Sequence, residues 1–151
     1  MWNKNEIQQT FDELLNLFRF DDWNIKLEFV EHDWKNTGNV KVDIEGKTAI
    51  VYLNIFNPKM ENYEQVLIHE LCHIKLWKLD QYCESLLNST FEDQNSTAYK
   101  FAYDQFMFNL ETTTEEFART FLNMIGKNKE LSFNRCEMRM TFKESEEGEN
   151  K

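Results

Sequence analysis

The chain has 151 residues, including 13 phenylalanines, 5 tyrosines and 4 tryptophans, which predicts one domain with an aromatic-rich core. Its net charge of −10 argues against nucleic acid and anionic membranes as partners, because both are bound by basic surfaces. We expect a single domain over residues 1–143, followed by an acidic, disordered tail over residues 144–151.

The location of the protein is indicated by the sequence features that it lacks. There is no apolar run near the length of about 18 residues that a membrane span requires. The first residues lack the apolar stretch of a signal peptide. The three cysteines, Cys72, Cys83 and Cys136, have no disulfide-framework spacing, which favours reduced thiols. These features predict a cytoplasmic protein.

The first half of the chain predicts a helix and three strands. Apolar residues at helical spacing predict a helix over residues 5–18. Alternating apolar and polar residues predict strands over 23–29 and 40–44. After a turn at Gly46, the more continuous apolar run 48–56 predicts a third strand that is more buried.

The second half is predicted to be mainly helical. Three helices are expected, together with a polar loop, a helix C-cap and a late strand. The helices are predicted over residues 63–79, 96–110 and 115–125. The loop is predicted within 85–95, the C-cap at Gly126 and the strand over 136–142. The predicted class is therefore α+β, with a small antiparallel or mixed sheet packed on helices.

Residues 69–73 read His-Glu-Leu-Cys-His, an H-E-x-x-H pentapeptide inside a predicted helix. Residues four apart lie on one face of a helix, so His69 and His73 can bind the same metal ion. Glu70 is placed to act as the general base on a metal-activated water. A catalytic zinc ion takes three protein ligands and keeps one open position. The pentapeptide therefore predicts a zinc site with Glu70 as the catalytic residue.

The third ligand is expected to be a glutamate from the segment after residue 110. Glu115 lies on the inward stripe of its predicted helix, and a buried carboxylate needs a partner such as zinc. Glu111 lies one turn earlier and takes this place if the helix begins earlier. Glu116 is expected to face water and to form a capping box with Thr113. We predict Glu115 as the ligand, with Glu111 as the alternative.

Three other side chains are weaker candidates for the third ligand. His32 follows the first strand and is expected at the surface. Asp80 lies at the far end of the metal-binding helix. Cys72 points away from the face that carries the two histidines and is expected in the core.

Residues 66–74 (V-L-I-H-E-L-C-H-I) and the later E-x-x-A-x-x-F at 115–121 resemble motifs of small gluzincin-type metallopeptidases. The likeness extends over residues 23–125 and includes ImmA/IrrE-like domains and small HExxH proteins of phages and mobile elements. It implies a zincin-like fold and hydrolysis of a protein or peptide substrate. In such folds the sheet edge beside the metal-binding helix commonly holds the substrate as an added strand. The strand over 48–56 is expected to be that edge.

The expected function is zinc-dependent peptide hydrolysis, with His69, His73 and Glu115 as ligands and Glu70 as the base. The alternative is a metal-stabilised protein-binding module of a phage or mobile element, with weak or no activity. Glu70 favours the enzyme, because a purely structural metal site needs no base.

Overall fold

The computed structural model of the chain describes residues 2–133, which form three helices and a three-stranded mixed sheet. The predicted α+β class is confirmed. In chain order the elements are α1 (Lys4–Leu17), β1 (Asn24–Val30), β2 (Gly38–Asp43), β3 (Thr48–Asn54), α2 (Tyr63–Thr90) and α3 (Thr97–Ile125). The strand predicted over 136–142 and the tail predicted over 144–151 lie outside the described residues.

The sheet has the strand order β1-β3-β2. β3 is parallel to β1 and antiparallel to β2, and its side chains Ala49, Val51 and Leu53 are buried. The prediction that this strand forms a sheet edge is wrong. Its apolar run marks a central strand, which has neighbours on both sides and little exposure. Among the described strands the edges are β1 and β2.

Helix α2 is the centre of the fold and contacts α1, α3, β2 and β3. Its buried side chains lie between Glu64 and Ile74. The helix runs to Thr90, well past the predicted end at residue 79, because the first half of α3 packs along it. There the Tyr99 hydroxyl donates to Asn88, at an oxygen–oxygen distance of 2.9 Å. Residues 91–96 separate the two helices, so the loop occupies only the last part of the segment 85–95 in which it was predicted.

Helix α3 is continuous where the sequence predicts two helices. The sequence analysis places a break at the threonines 112–114, where the structure has continuous helix. The hydroxyls of Thr112 and Thr114 donate to the carbonyl oxygens of Phe108 and Leu110, one turn earlier, and so remain compatible with a helix. The predicted capping box of Thr113 and Glu116 is therefore wrong. Ser96 is the N-cap, and Gly126 is the C-cap, as predicted.

None of the helices within residues 2–133 has both the length and the apolar character needed to cross a membrane.

A pair of buried side chains fixes the start of α2 to the segment that follows α3. The N-cap Asn62 accepts from the amides of Glu64 and Gln65, and its own amide donates to the carbonyls of Asn128 and Glu130, both at 2.8 Å. The Glu64 carboxylate accepts the Lys127 amide at 3.0 Å and the Asn128 amide at 2.9 Å. We call this arrangement the Asn62–Glu64 clasp. It sets the end of α3 relative to the start of α2.

Replacing Asn62→Ala should lower the free energy of unfolding by about 2 kcal/mol, because a helix cap is lost and two backbone carbonyls lose their donor. Asn3→Ala is the matched control. Asn3 caps α1 in the same way but is exposed and holds no second segment, so its loss should cost no more than about 1 kcal/mol. Urea unfolding measures both, and equal losses would contradict a role of Asn62 beyond capping.

Candidate metal centre

His69 and His73 lie one turn apart on α2, on the side that faces α3. Their side chains are only 13% and 14% exposed, respectively. The Nε2 atoms of the two rings are 3.0 Å apart. The pentapeptide therefore brings two nitrogen donors to one point, as the spacing predicts.

Glu111 of α3 faces both histidines. Its Oε2 lies 3.5 Å from Nε2 of His69, and its Oε1 lies 3.3 Å from Nε2 of His73. A tetrahedral zinc ion with bonds of about 2.0–2.1 Å holds its ligand atoms about 3.3 Å apart. Each Nε2 atom has one of the two Glu111 oxygens at about this distance, and the two Nε2 atoms are slightly closer to one another. His69, His73 and Glu111 could therefore hold a metal ion.

Glu115 lies beside the same group but contacts the other nitrogen of His69. Its Oε2 is 3.0 Å from Nδ1 of His69, and its Oε1 accepts from Gln65 at 2.8 Å and from Arg119 at 3.0 Å. A carboxylate at Nδ1 fixes the orientation and tautomer of an imidazole whose Nε2 binds a metal. Of the two glutamates that the sequence leaves open, Glu111 is the one that faces both Nε2 atoms.

The side chains of His69, Glu111 and Glu115 shift one another's pKa values. Burial lowers the pKa of His69, but its contacts with Glu111 and Glu115 outweigh burial and raise the pKa to about 9. His69 and His73 hold the pKa of Glu111 well below its usual range. Burial alone would raise the pKa of Glu115, but its contacts with His69 and Arg119 have the larger combined effect. The pKa of Glu115 is therefore lowered. The surroundings thus favour positive charge at His69, and a divalent cation at its Nε2 would supply that charge.

Glu70 is buried beside this group and has no salt-bridge partner among residues 2–133. Burial raises the pKa of its carboxyl to about 7. The β2 backbone passes directly over it at Gly38, where a Cβ atom would lie 2.4 Å from Oε1 of Glu70. Because glycine has no Cβ atom, β2 and the Glu70 carboxylate can approach one another this closely.

A cleft of about 610 Å³ opens over these side chains. Its walls come from residues 35–40 around the start of β2, from residues 59–60 and from the facing sides of α2 and α3. His69, Glu70, His73, Glu111 and Glu115 all line it. We call His69, His73 and Glu111 the metal group. Its donor atoms and the carboxylate of Glu70 therefore share one solvent-accessible cleft.

Asn54, which is fully buried at the end of β3, fixes the rim of this cleft. Its side-chain amide donates to the carbonyl oxygens of Trp34 and Asn36, at 3.1 and 2.9 Å. Its side-chain oxygen accepts from the amides of Phe56 and Asn57. One side chain thus joins the loop before β2 to the loop after β3.

Two of the weaker candidates, His32 and Cys72, lie where the sequence places them, whereas Asp80 lies within α2 and not at its far end, because the helix continues to Thr90. His32 is exposed and does not line the cleft. Cys72 is buried, and burial raises the pKa of its thiol to about 12. Asp80 lines the cleft but is not part of the metal group. The sequence analysis missed Gln65 and Arg119. Each lies four residues from a site residue on the same helix, a spacing that could have identified them.

Comparison with known proteins gives no relative. No protein-family model matches the chain, and no curated protein or solved structure is similar to it.

The metal group predicts a ranking of three glutamate variants. Glu111→Ala should abolish tight binding of one Zn²⁺ per chain, because it removes a donor atom from a three-donor site. Glu115→Ala should weaken binding by about 10–100-fold, because it frees the His69 ring. Glu116→Ala, on the exposed side of α3, should bind as wild type does. Calorimetric titration and elemental analysis measure the effects, with His69→Ala as the zero-binding reference. If Glu115→Ala abolishes binding and Glu111→Ala does not, the ligand is Glu115.

Proposed function

We propose that the chain is a zinc-dependent metallopeptidase with a zincin-like fold, in which His69, His73 and Glu111 hold the metal ion. The observation that carries the proposal is the position of Glu70. Its buried carboxylate lies in the same cleft as the three donors, yet within residues 2–133 it belongs neither to the metal group nor to a salt bridge. A general base for an attacking water needs this position.

The donor set supports zinc. Two imidazoles and one carboxylate are typical ligands of catalytic zinc, and three protein ligands leave the fourth position open. Zinc held there would supply Lewis-acid chemistry, making a water more acidic and polarising the substrate carbonyl. Glu115 would keep Nε2 of His69 directed at the ion, through its contact with Nδ1.

Glu70 would move the proton of the reaction. As the water oxygen attacks the carbonyl carbon of the peptide bond, Glu70 accepts a proton from that water. It then delivers the proton to the amide nitrogen as the carbon–nitrogen bond breaks. Burial raises the pKa of the Glu70 carboxyl, which makes this group a stronger base than an exposed glutamate. Its burial therefore matches the role.

The sheet edge supports a peptide as substrate. Within the described residues, β2 pairs only with β3, so no strand lies along its outer edge. Residues Gly38–Val40 of this strand line the cleft. An extended peptide could add to this edge and bring its backbone across Glu70. Within residues 2–133, Cys72 and Cys83 form no disulfide, in keeping with the cytoplasmic location that we propose.

Replacing Glu70→Gln should retain bound zinc and the fold but lower peptide hydrolysis by at least about 100-fold, because an amide cannot accept the proton. Cleavage of a peptide library, followed by mass spectrometry, measures the activity of wild type and variant at matched zinc content. Equal cleavage by both would exclude Glu70 as the base. If zinc-loaded wild type cleaves nothing in a broad library, the metal-stabilised binding module becomes the better description.

Replacing Gly38→Ala should reduce hydrolysis strongly, because the added methyl would displace the Glu70 carboxylate. The new Cβ would lie 2.4 Å from Oε1 of Glu70 and 2.8 Å from Cγ1 of Val66. Zinc content should be retained, since the three atoms nearest the new Cβ belong to Glu70 and Val66 and not to the three donors.

Gly46→Ala is the matched control for this variant. Its Cβ would also meet a carboxylate, 2.6 Å from Oδ2 of Asp43, but in the β2–β3 turn outside the cleft. It should cost stability and leave the activity per folded, zinc-loaded molecule unchanged. Full activity of Gly38→Ala would show that β2 does not constrain the base.

A further inference from the structure

The cleft continues beyond the metal group, between α2 and α3. Trp77 lies one turn after His73 on α2, and Asp80 follows three residues later. On α3, Met107 lies one turn before Glu111. Trp77, Asp80 and Met107 all line the same cleft as the metal group. We call these three residues the Trp77–Asp80 pocket.

Asp80 is the carboxylate of the cleft that has no role in the proposed reaction. Glu111 faces the two histidines, and Glu115 contacts His69 and Arg119. Asp80 accepts a hydrogen bond from its neighbour Gln81 and forms no salt bridge with any residue between 2 and 133. It lies near enough to His73 and Glu111 to interact with both electrostatically. A carboxylate without a salt-bridge partner among the described residues therefore adjoins the reacting centre.

An indole ring, a thioether and a carboxylate in one pocket suit a cation on an alkyl stem. The stem of a lysine or arginine packs on Trp77 and Met107, and its charged end reaches Asp80. Resting on the proposed peptidase activity, we propose that the Trp77–Asp80 pocket binds a lysine or arginine side chain of the substrate, close to the scissile bond.

Two further features of the molecule favour a positively charged side chain at this pocket. Lys35 lies on the opposite wall of the cleft, at the β2 side, where it repels a second cation. The cleft thus has an acidic end at α2 and α3 and a basic side at β2, which favours one orientation of a bound peptide. The net charge of −10 also draws basic peptides towards the protein.

The test uses a pair of internally quenched peptides chosen from the library cleavage sites, with lysine or norleucine at the same position. Norleucine keeps the stem and removes the charge. Zinc-loaded wild type should prefer the lysine peptide by about tenfold in kcat/KM. Asp80→Asn should abolish this preference, and Trp77→Leu should reduce it about threefold. Asp12→Asn on α1, with the same change in net charge but outside the cleft, should keep it.

A binding experiment separates this inference from the activity. Zinc-loaded Glu70→Gln protein is used to select peptides from the same library, and the Glu70→Gln/Asp80→Asn double variant provides the comparison. Lysine and arginine should be enriched about tenfold by the first protein and not by the second. Enrichment that depends on Asp80, with no cleavage by wild type, would support the pocket and contradict the peptidase. Cleavage without a lysine or arginine preference, or enrichment that survives loss of Asp80, would overturn the pocket and leave the peptidase standing. Absence of enrichment by the first protein would also overturn the pocket.

Discussion

The register between α2 and α3 determines whether the metal group exists. The two histidines come from one helix and their third partner from another, so neither helix can assemble the group alone. A shift of one residue turns a helical side chain by about 100°. Such a shift would remove Glu111 from the two Nε2 atoms and Glu115 from Nδ1 together. The contacts of α3 with His69 at both ring nitrogens therefore depend on one alignment. The Asn62–Glu64 clasp holds the end of α3 in that alignment.

The sequence predicts the local parts of the site well, because they depend on spacing within one helix. The separation of His69 and His73 decides on its own that the two rings share a face. The choice between Glu111 and Glu115 depends on how two distant helices pack, and no spacing within α3 contains that information. The inward stripe correctly placed Glu115 on a less exposed face of the helix than Glu116. The structure adds that Glu115 is also more buried than Glu111, with 21% of its side chain exposed against 50%. The burial of Glu115 reflects its contacts with Gln65, His69 and Arg119, so burial alone does not identify the glutamate that faces both Nε2 atoms.

The errors in the predicted fold also have physical causes. The threonines of α3 favour a helix start in many sequences, since a threonine hydroxyl can cap a helix. Here the hydroxyls donate to carbonyl oxygens within the helix. The sequence of three threonines does not distinguish a helix start from a helix interior. The apolar run of β3 was correctly predicted to be a buried strand, but sheet order depends on which strands flank it. Asn54 and Asn62 are buried polar residues whose partners are distant in sequence, so composition gives no sign of their roles.

The Asn62–Glu64 clasp also has a consequence for the order of events during synthesis. A ribosome releases the chain from its N-terminus, so α1, the sheet and the pentapeptide emerge well before residues 127–130. The buried carboxylate of Glu64 and the carboxamide of Asn62 have no backbone partners from that segment until it appears. The nascent chain thus carries both histidines for a long interval without the glutamates that face them. His69, His73 and Glu111 can therefore come together only when the domain is nearly complete.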